Sequence, residues 1–289
     1  MRGIGRVGGM MLLGGSLALP GSASVFWVLD GLGGIRQVNP SLNANPGVTL
    51  GNPAAQGDSL AVDPLGNFYV ADATGVSVPP APPGFLFQIT ATSVVPVGSM
   101  GYTLVGDLDH AGNGLWGFSN ATQDLFFFDL GTLTVTYATT LPSLATHTIT
   151  GVAYQTSTGD VFLSGNTGPN LDELFRVDLT PTPSVSLVGT IAHTDLASHV
   201  SDIDFDANGA LYGITWFHRH FLAINPVSAA TVTLSVGPHQ DATGLAIQEV
   251  PEGKTVGPLA VTALLGFGLL NSRQTKGHAN VNRAAATSA

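Results

Sequence analysis

The stretch Leu60-Ala-Val-Asp-Pro-Leu-Gly-Asn-Phe-Tyr-Val-Ala-Asp72 constrains the fold more than any other part of the chain. It reads as strand, tight turn, strand. Leu60 and Val62 alternate with smaller residues, Asp63 to Asn67 supply turn chemistry, and Phe68-Tyr-Val70 resumes a β run. Phe85 to Thr90 adds a third strand and Val94 to Val97 an outer one. Variants recur at Gly106 to Leu130, Thr150 to Leu179 and Asp202 to Pro226, each followed by an alternating outer strand (Thr132 to Tyr137, Val185 to Val188, Thr231 to Ser235). Aligning the second-strand aromatics gives Trp27, Tyr69, Trp116, Phe162 and Tyr212, at intervals of 42, 47, 46 and 50 residues. Four short strands per unit at this period predict β-propeller blades.

The two ends of the repeat region predict how the ring closes. Val25 to Asp30 and Ile35 to Pro40 form the later part of a unit without its first strand. Thr243 to Gln248 is a first strand without a second. Joined, they complete one blade and remove the exposed sheet edges. The expected fold is therefore all-β, a five-bladed propeller over residues 24–249. Small residues (Ala61, Ala153, Ala246) belong on the inner strands near the axis, and large aromatics between blades. Asp63 is replaced in the copies by Asp109, Tyr154, Asp206 and Gln248, which reads as scaffold turn chemistry.

The flanks predict export. Arg2 and Arg6 precede the apolar run Val7 to Leu19, and Pro20 to Ser24 supplies small residues, so residues 1–23 read as a secretory signal. Val256 to Leu270 is a second apolar run, followed by Arg273, Lys276 and Arg283. It is shorter than the ~20 residues of a usual span, and its basic flank suits a cytoplasmic end. The order Val250-Pro-Glu252, apolar helix, basic residues resembles the PEP-CTERM sorting signal of exosortase-containing Gram-negative bacteria. That resemblance covers roughly residues 250–276, with Gly253 where the family has a second proline, and leaves 277–289 as a disordered tail. It implies an exosortase-like sorting enzyme as partner, transient inner-membrane tethering through the C-terminal segment, and cleavage near Pro251 with release or attachment at the cell surface.

Charge narrows the partners. Between Ser24 and Val250 the only basic residues are Arg36, Arg176 and Arg219, against 18 of the chain's 19 acidic residues, a net −15. Such a body repels nucleic acid. The chain has no cysteine, which excludes disulfides and thiolate metal sites.

Chemistry, if present, belongs in the loops before the inner strands. His147, His199 and His239 lie four to six residues before Val152, Ile203 and Leu245. With Asp58, Asp202 and Asp241 they form a candidate ligand or metal site at one channel mouth, where N/O donors suit a divalent metal. A solvated polar rim fits the same residues. His218-Arg-His220 offers two imidazoles without a third ligand. Asp204-Phe-Asp-Ala-Asn-Gly209 opens like a calcium loop but has Thr215 where the bidentate glutamate belongs, so it reads as a hairpin turn. Asn120-Ala-Thr122 matches a glycosylation acceptor. No nucleophile elbow or phosphate loop occurs.

Ala61 to Asp72 also resembles the repeat of NHL-like and SMP-30-like propellers, a likeness generic to the architecture. The expected function is an exported, non-catalytic binding or scaffold protein of the cell surface or extracellular space, with polysaccharide or a surface protein as partner. The alternatives are a metal-dependent hydrolase or lactonase of SMP-30-like type and a structural matrix component.

Overall fold

The structure, a computed structural model, describes residues 24–30, 34–39, 49–50, 59–72, 84–90, 93–168, 171–194, 198–216, 220–236 and 242–249. The signal segment and the sorting segment lie outside them, as do Val250, Pro251 and Glu252.

Five four-stranded antiparallel sheets form the ring. The first blade is β4 (Ala61–Val62), β5 (Phe68–Asp72), β6 (Phe85–Ile89) and β7 (Val94–Ser99). The second is β8 (Val105–Ala111), β9 (Gly114–Ser119), β10 (Asp124–Asp129) and β11 (Thr134–Thr140). The third is β12 (Thr148–Gln155), β13 (Asp160–Asn166), β14 (Asp172–Asp178) and β15 (Ser184–Thr190), and the fourth β16 (Val200–Phe205), β17 (Leu211–Thr215), β18 (His220–Ile224) and β19 (Thr231–Val236). The closing blade joins both ends of the chain: β20 (Ala242–Glu249) pairs with β1 (Ser24–Asp30), followed by β2 (Ile35–Val38) and β3 (Thr49–Leu50). The inner strands touch in sequence, β4 to β8, β12, β16, β20 and back to β4, so the ring is closed.

The core is five clusters, one in each gap between blades. This follows from strand alternation: each sheet has two buried faces, and a closed ring gives every face a partner. The aligned aromatics fill these gaps. Trp27 meets Phe68 of the first blade edge-on at 4.9 Å, Phe162 meets Phe205 of the fourth at 5.3 Å, and Tyr212 meets Phe26 of the closing blade at 5.0 Å. Fully burying one such ring contributes roughly 1.5–3 kcal/mol.

The hairpin turn of the first blade behaves as its residues require. Asp63 Oδ1 accepts the Leu65 and Asn67 N–H groups at 2.9 and 2.8 Å, and Gly66 takes a φ of +84°. Asp63→Ala leaves those donors without their acceptor and should cost about 1–2 kcal/mol in urea unfolding, whereas Asp63→Asn should recover most of the loss. Equal losses in the two variants would remove the turn from the account.

A mouth of bulges around a carboxylate hub

The innermost strand of each blade is a sheet edge, and its free N–H groups need acceptors. Four of them are met by aspartates of the preceding blade. Val152 N–H donates to Asp107 Oδ2 at 2.7 Å, and Tyr154 N–H to Asp109 Oδ2. Leu245 N–H donates to Asp202 Oδ2, and Ile247 N–H to Asp204 Oδ2 at 2.6 Å. The two Asp-x-Asp pairs thus staple the second blade to the third and the fourth to the closing blade.

Register explains why the staples alternate. Asp109 pairs with Trp116 and Asp204 with Tyr212, positions held elsewhere by Ala61, Ala153 and Ala246. Asp107 and Asp202 correspond to Gly151 and Gly244. At those glycines the backbones close directly. A Cβ on Gly151 would stand 2.8 Å from Ile203 N, and one on Gly244 3.0 Å from Leu60 N. Small residues at the axis hold in the first, third and closing blades, and aspartates replace them in the other two. The same register corrects one sequence alignment. Asp109 and Tyr154 are not the equivalents of the turn residue Asp63; Ala111 and Gln155 are, because these inner strands run one residue further before turning.

Burial is the largest influence on the hub. It raises the carboxyls of Asp107, Asp202 and Asp204 well above the ordinary carboxylate range. Asp107 adds to the rise at Asp202, and Asp109 to that at Asp204, while the backbone donors pull the other way.

The hub separates two mouths. At the turn end a cavity of about 310 Å³ is lined by Asp109, His110, Tyr154, Asp204, Asp206 and Asn208, among others. Asp206 Oδ1 accepts the Asn208 and Ala210 N–H groups, so Asp204 to Gly209 is the expected turn. Burial lowers the His110 pKa, opposed by Asp63.

The loop-end mouth is built by repetition. In four inner strands the pairing slips by one residue at the same place, leaving Gly106, Thr150, Ser201 and Thr243 as bulge residues. A bulge re-aims a side chain where a strand leaves its sheet. All four line one cavity of about 450 Å³, with Leu104, Asn120, Thr148, Ile149, His199 and Trp216. Three polar side chains there are committed to neighbouring carbonyls: Thr150 Oγ1 donates to Val200 O, Ser201 Oγ to Ile214 O, and Asn120 Nδ2 to Ile149 O. What they leave is an apolar wall around the Trp216 indole, against which His199 packs at 5.2 Å. Leu104, half-exposed at the rim, has a φ of +50°, a strained backbone for a branched residue.

The sequence candidates separate. His199 lines the loop-end cavity, and its pKa is lowered by burial, opposed by Asp172 and reinforced by His193. Asp202 sits one layer deeper, in the hub. His147 turns onto its own blade: Nε2 meets Glu173 Oε2 at 2.7 Å, and the ring packs edge-on against Phe175. His239, Asp58, Asp241 and His218 lie outside the described residues. Among the described residues no three histidine or acidic side chains are placed to hold a metal ion. Asn120 is a clamp between blades, with Oδ1 accepting Ile149 N–H at 2.8 Å, so its side chain is not free for a glycan. Sequence reading missed the buried His193–Asp172 pair (2.7 Å), whose partners stand 21 residues apart and carry no motif.

No protein-family model and no curated protein matches the chain. Among solved structures, a chain of the nidogen–laminin complex matches with a TM-score of 0.52 and 12% identity, over 78% of this chain and 98% of that one. A protein of unknown function from Bacteroides caccae matches with a TM-score of 0.46 and 12% identity, over 78% of this chain and 99% of that one. Virginiamycin B lyase from Staphylococcus aureus matches with 0.42 and 12%, over 71% and 64%. At such identity the first likeness speaks to the propeller fold alone.

Proposed function

We propose that this chain is an exported propeller, sorted through its C-terminal segment to the cell surface or released, that binds a polysaccharide at the loop-end mouth without turning it over. The observation that carries this reading is the cavity ringed by the four bulge residues, with Trp216 and the strained Leu104 at its edge. An indole beside an apolar wall suits the C–H face of a sugar ring. Three polar side chains of the cavity, Asn120, Thr150 and Ser201, are engaged by backbone carbonyls, and burial holds His199 toward its neutral form.

The full chain should be retained by at least one polymer on an array of glycans and matrix polysaccharides, and Trp216→Ala should weaken that binding roughly tenfold or more. Absence of retention on every glycan sinks the binding reading. Stoichiometric divalent metal in the purified protein would favour the hydrolase class instead. Deleting residues 250–289 should abolish surface retention and leave the propeller folded. Failure of the truncated chain to fold would assign that segment to the domain.

A further inference from the structure

Two of the hub carboxyls touch. Asp107 and Asp202, from the second and fourth blades, are side-chain hydrogen-bond partners. They converge where the third blade closes on the fourth: Asp107 Oδ2 accepts the Val152 N–H at 2.7 Å, and a Cβ on the neighbouring Gly151 would stand 2.8 Å from the Ile203 N that donates to Asp202 Oδ1. Both residues are fully buried. Asp107 Oδ2 and Asp202 Oδ2 are occupied by the N–H groups of Val152 and Leu245, Asp202 Oδ1 accepts the Ile203 N–H at 2.6 Å, and Asp107 Oδ1 is buried without a well-formed hydrogen bond. Two ionised carboxylates cannot sit in contact in a dry site unless a positive charge offsets them. Among the described residues the arginines are paired elsewhere, Arg36 with Asp30 and Arg176 with Asp160. The remaining donor is a proton.

We propose that one proton shared between Asp107 and Asp202 ties the second and fourth blades across the axis, making the hub a pH-sensitive lock on the ring. The inter-blade staples depend on it. Without the proton the two carboxylates repel, and each is held against the other by the N–H group it accepts from the next blade. The lock is closed in mildly acidic medium and strained in alkaline medium.

The sign follows from linkage. A carboxyl with a raised folded-state pKa binds a proton in the native state that the unfolded chain has already released. Its stabilising contribution is complete below the unfolded carboxylate pKa of about 4 and is lost as pH rises toward the folded value. The other ionisable side chains around the pair are Asp109 and His110 from β8, Asp204 and the following Asp206 from β16, Asp63 after β4, Tyr154 from β12 and His199 at the loop-end mouth. The slope of the wild type therefore contains several terms, and the pair is isolated by difference.

Asparagine is the informative substitution, because its amide donates a hydrogen at every pH while its oxygen still accepts the backbone N–H. Urea unfolding of the full chain between pH 5 and 8 should show the unfolding constant rising with pH in the wild type. Asp107→Asn should fold and lose one proton's worth of that slope, about tenfold per pH unit. Asp202→Asn should lose the same amount and serves if the first variant does not fold. The infrared band of a protonated carboxyl should persist at pH 7 in the wild type and weaken in either variant. Unchanged slopes together with an unchanged infrared band in both asparagine variants would overturn the shared proton.

Discussion

Trp116→Ala is expected to remove about 3–5 kcal/mol from the stability of the folded chain. The indole is 8% exposed and lies in the gap between the second and third blades. It contacts Phe127 at 5.2 Å and Tyr137 at 5.4 Å in its own blade, and stacks toward Tyr154 of the third blade at 6.3 Å. Tyr154 is also the residue whose N–H donates to Asp109. Truncating the indole therefore opens a cavity beside a staple, where β-sheet backbone limits collapse. Domains are stable by roughly 5–15 kcal/mol in total, so the variant should sit near its folding threshold. The measurement is the urea midpoint, with an unchanged m-value showing that the two states keep their compactness. Val227→Ala is the control: Val227 is 85% exposed in a turn and should change stability by less than about 0.5 kcal/mol. A loss at Trp116 of under about 1 kcal/mol would mean that the gap repacks, and that the aromatic series is not what holds neighbouring blades together.

Trp116 was legible in the sequence because aromatic period and burial are set by the same constraint. One ring per blade must fill one gap, so the spacing of Trp27, Tyr69, Trp116, Phe162 and Tyr212 is the spacing of the blades. Closure was legible for a similar reason: an unpaired first strand at one end and a missing one at the other can only satisfy each other. Even Pro96 in the outer strand β7 follows rule, since an edge strand tolerates a residue without an N–H. The candidate site was less legible. Four of the five inner strands carry a bulge, and one inserted residue exchanges the two faces of everything that follows it. Asp202 therefore stands in the hub, one layer below the rim that chain distance suggested, beside Asp107, which the spacing did not single out. His147 went astray through a local turn. The 3-10 segment Pro142–Leu144 tightens the approach to β12, and Leu144 O accepts the His147 N–H at 2.8 Å. This aims the imidazole at Glu173 instead of the mouth.

Gly106→Ala should cost about 3 kcal/mol, from overpacking of about 1–3 kcal/mol together with disruption of a hydrogen-bonded clamp. The conformation of Gly106 is not the issue; the space around it is. A Cβ there would lie 2.2 Å from Ile149 O and 2.6 Å from Asn120 Nδ2. The carbonyl belongs to the third blade and the amide to the second, so the methyl group would force apart the two blades that Asn120 clamps. Asn120→Ala removes the clamp without inserting a group and should cost less, about 1–2 kcal/mol. The double variant should lose less than the sum, because the methyl group and the lost amide act on one carbonyl. Gly106 also lines the loop-end cavity. Separation of the second and third blades at that rim should therefore lower glycan retention even where the variant remains folded. Equal losses for Gly106→Ala and Asn120→Ala would leave the clamp in place as a contact but remove close backbone approach as the reason for a glycine in this bulge.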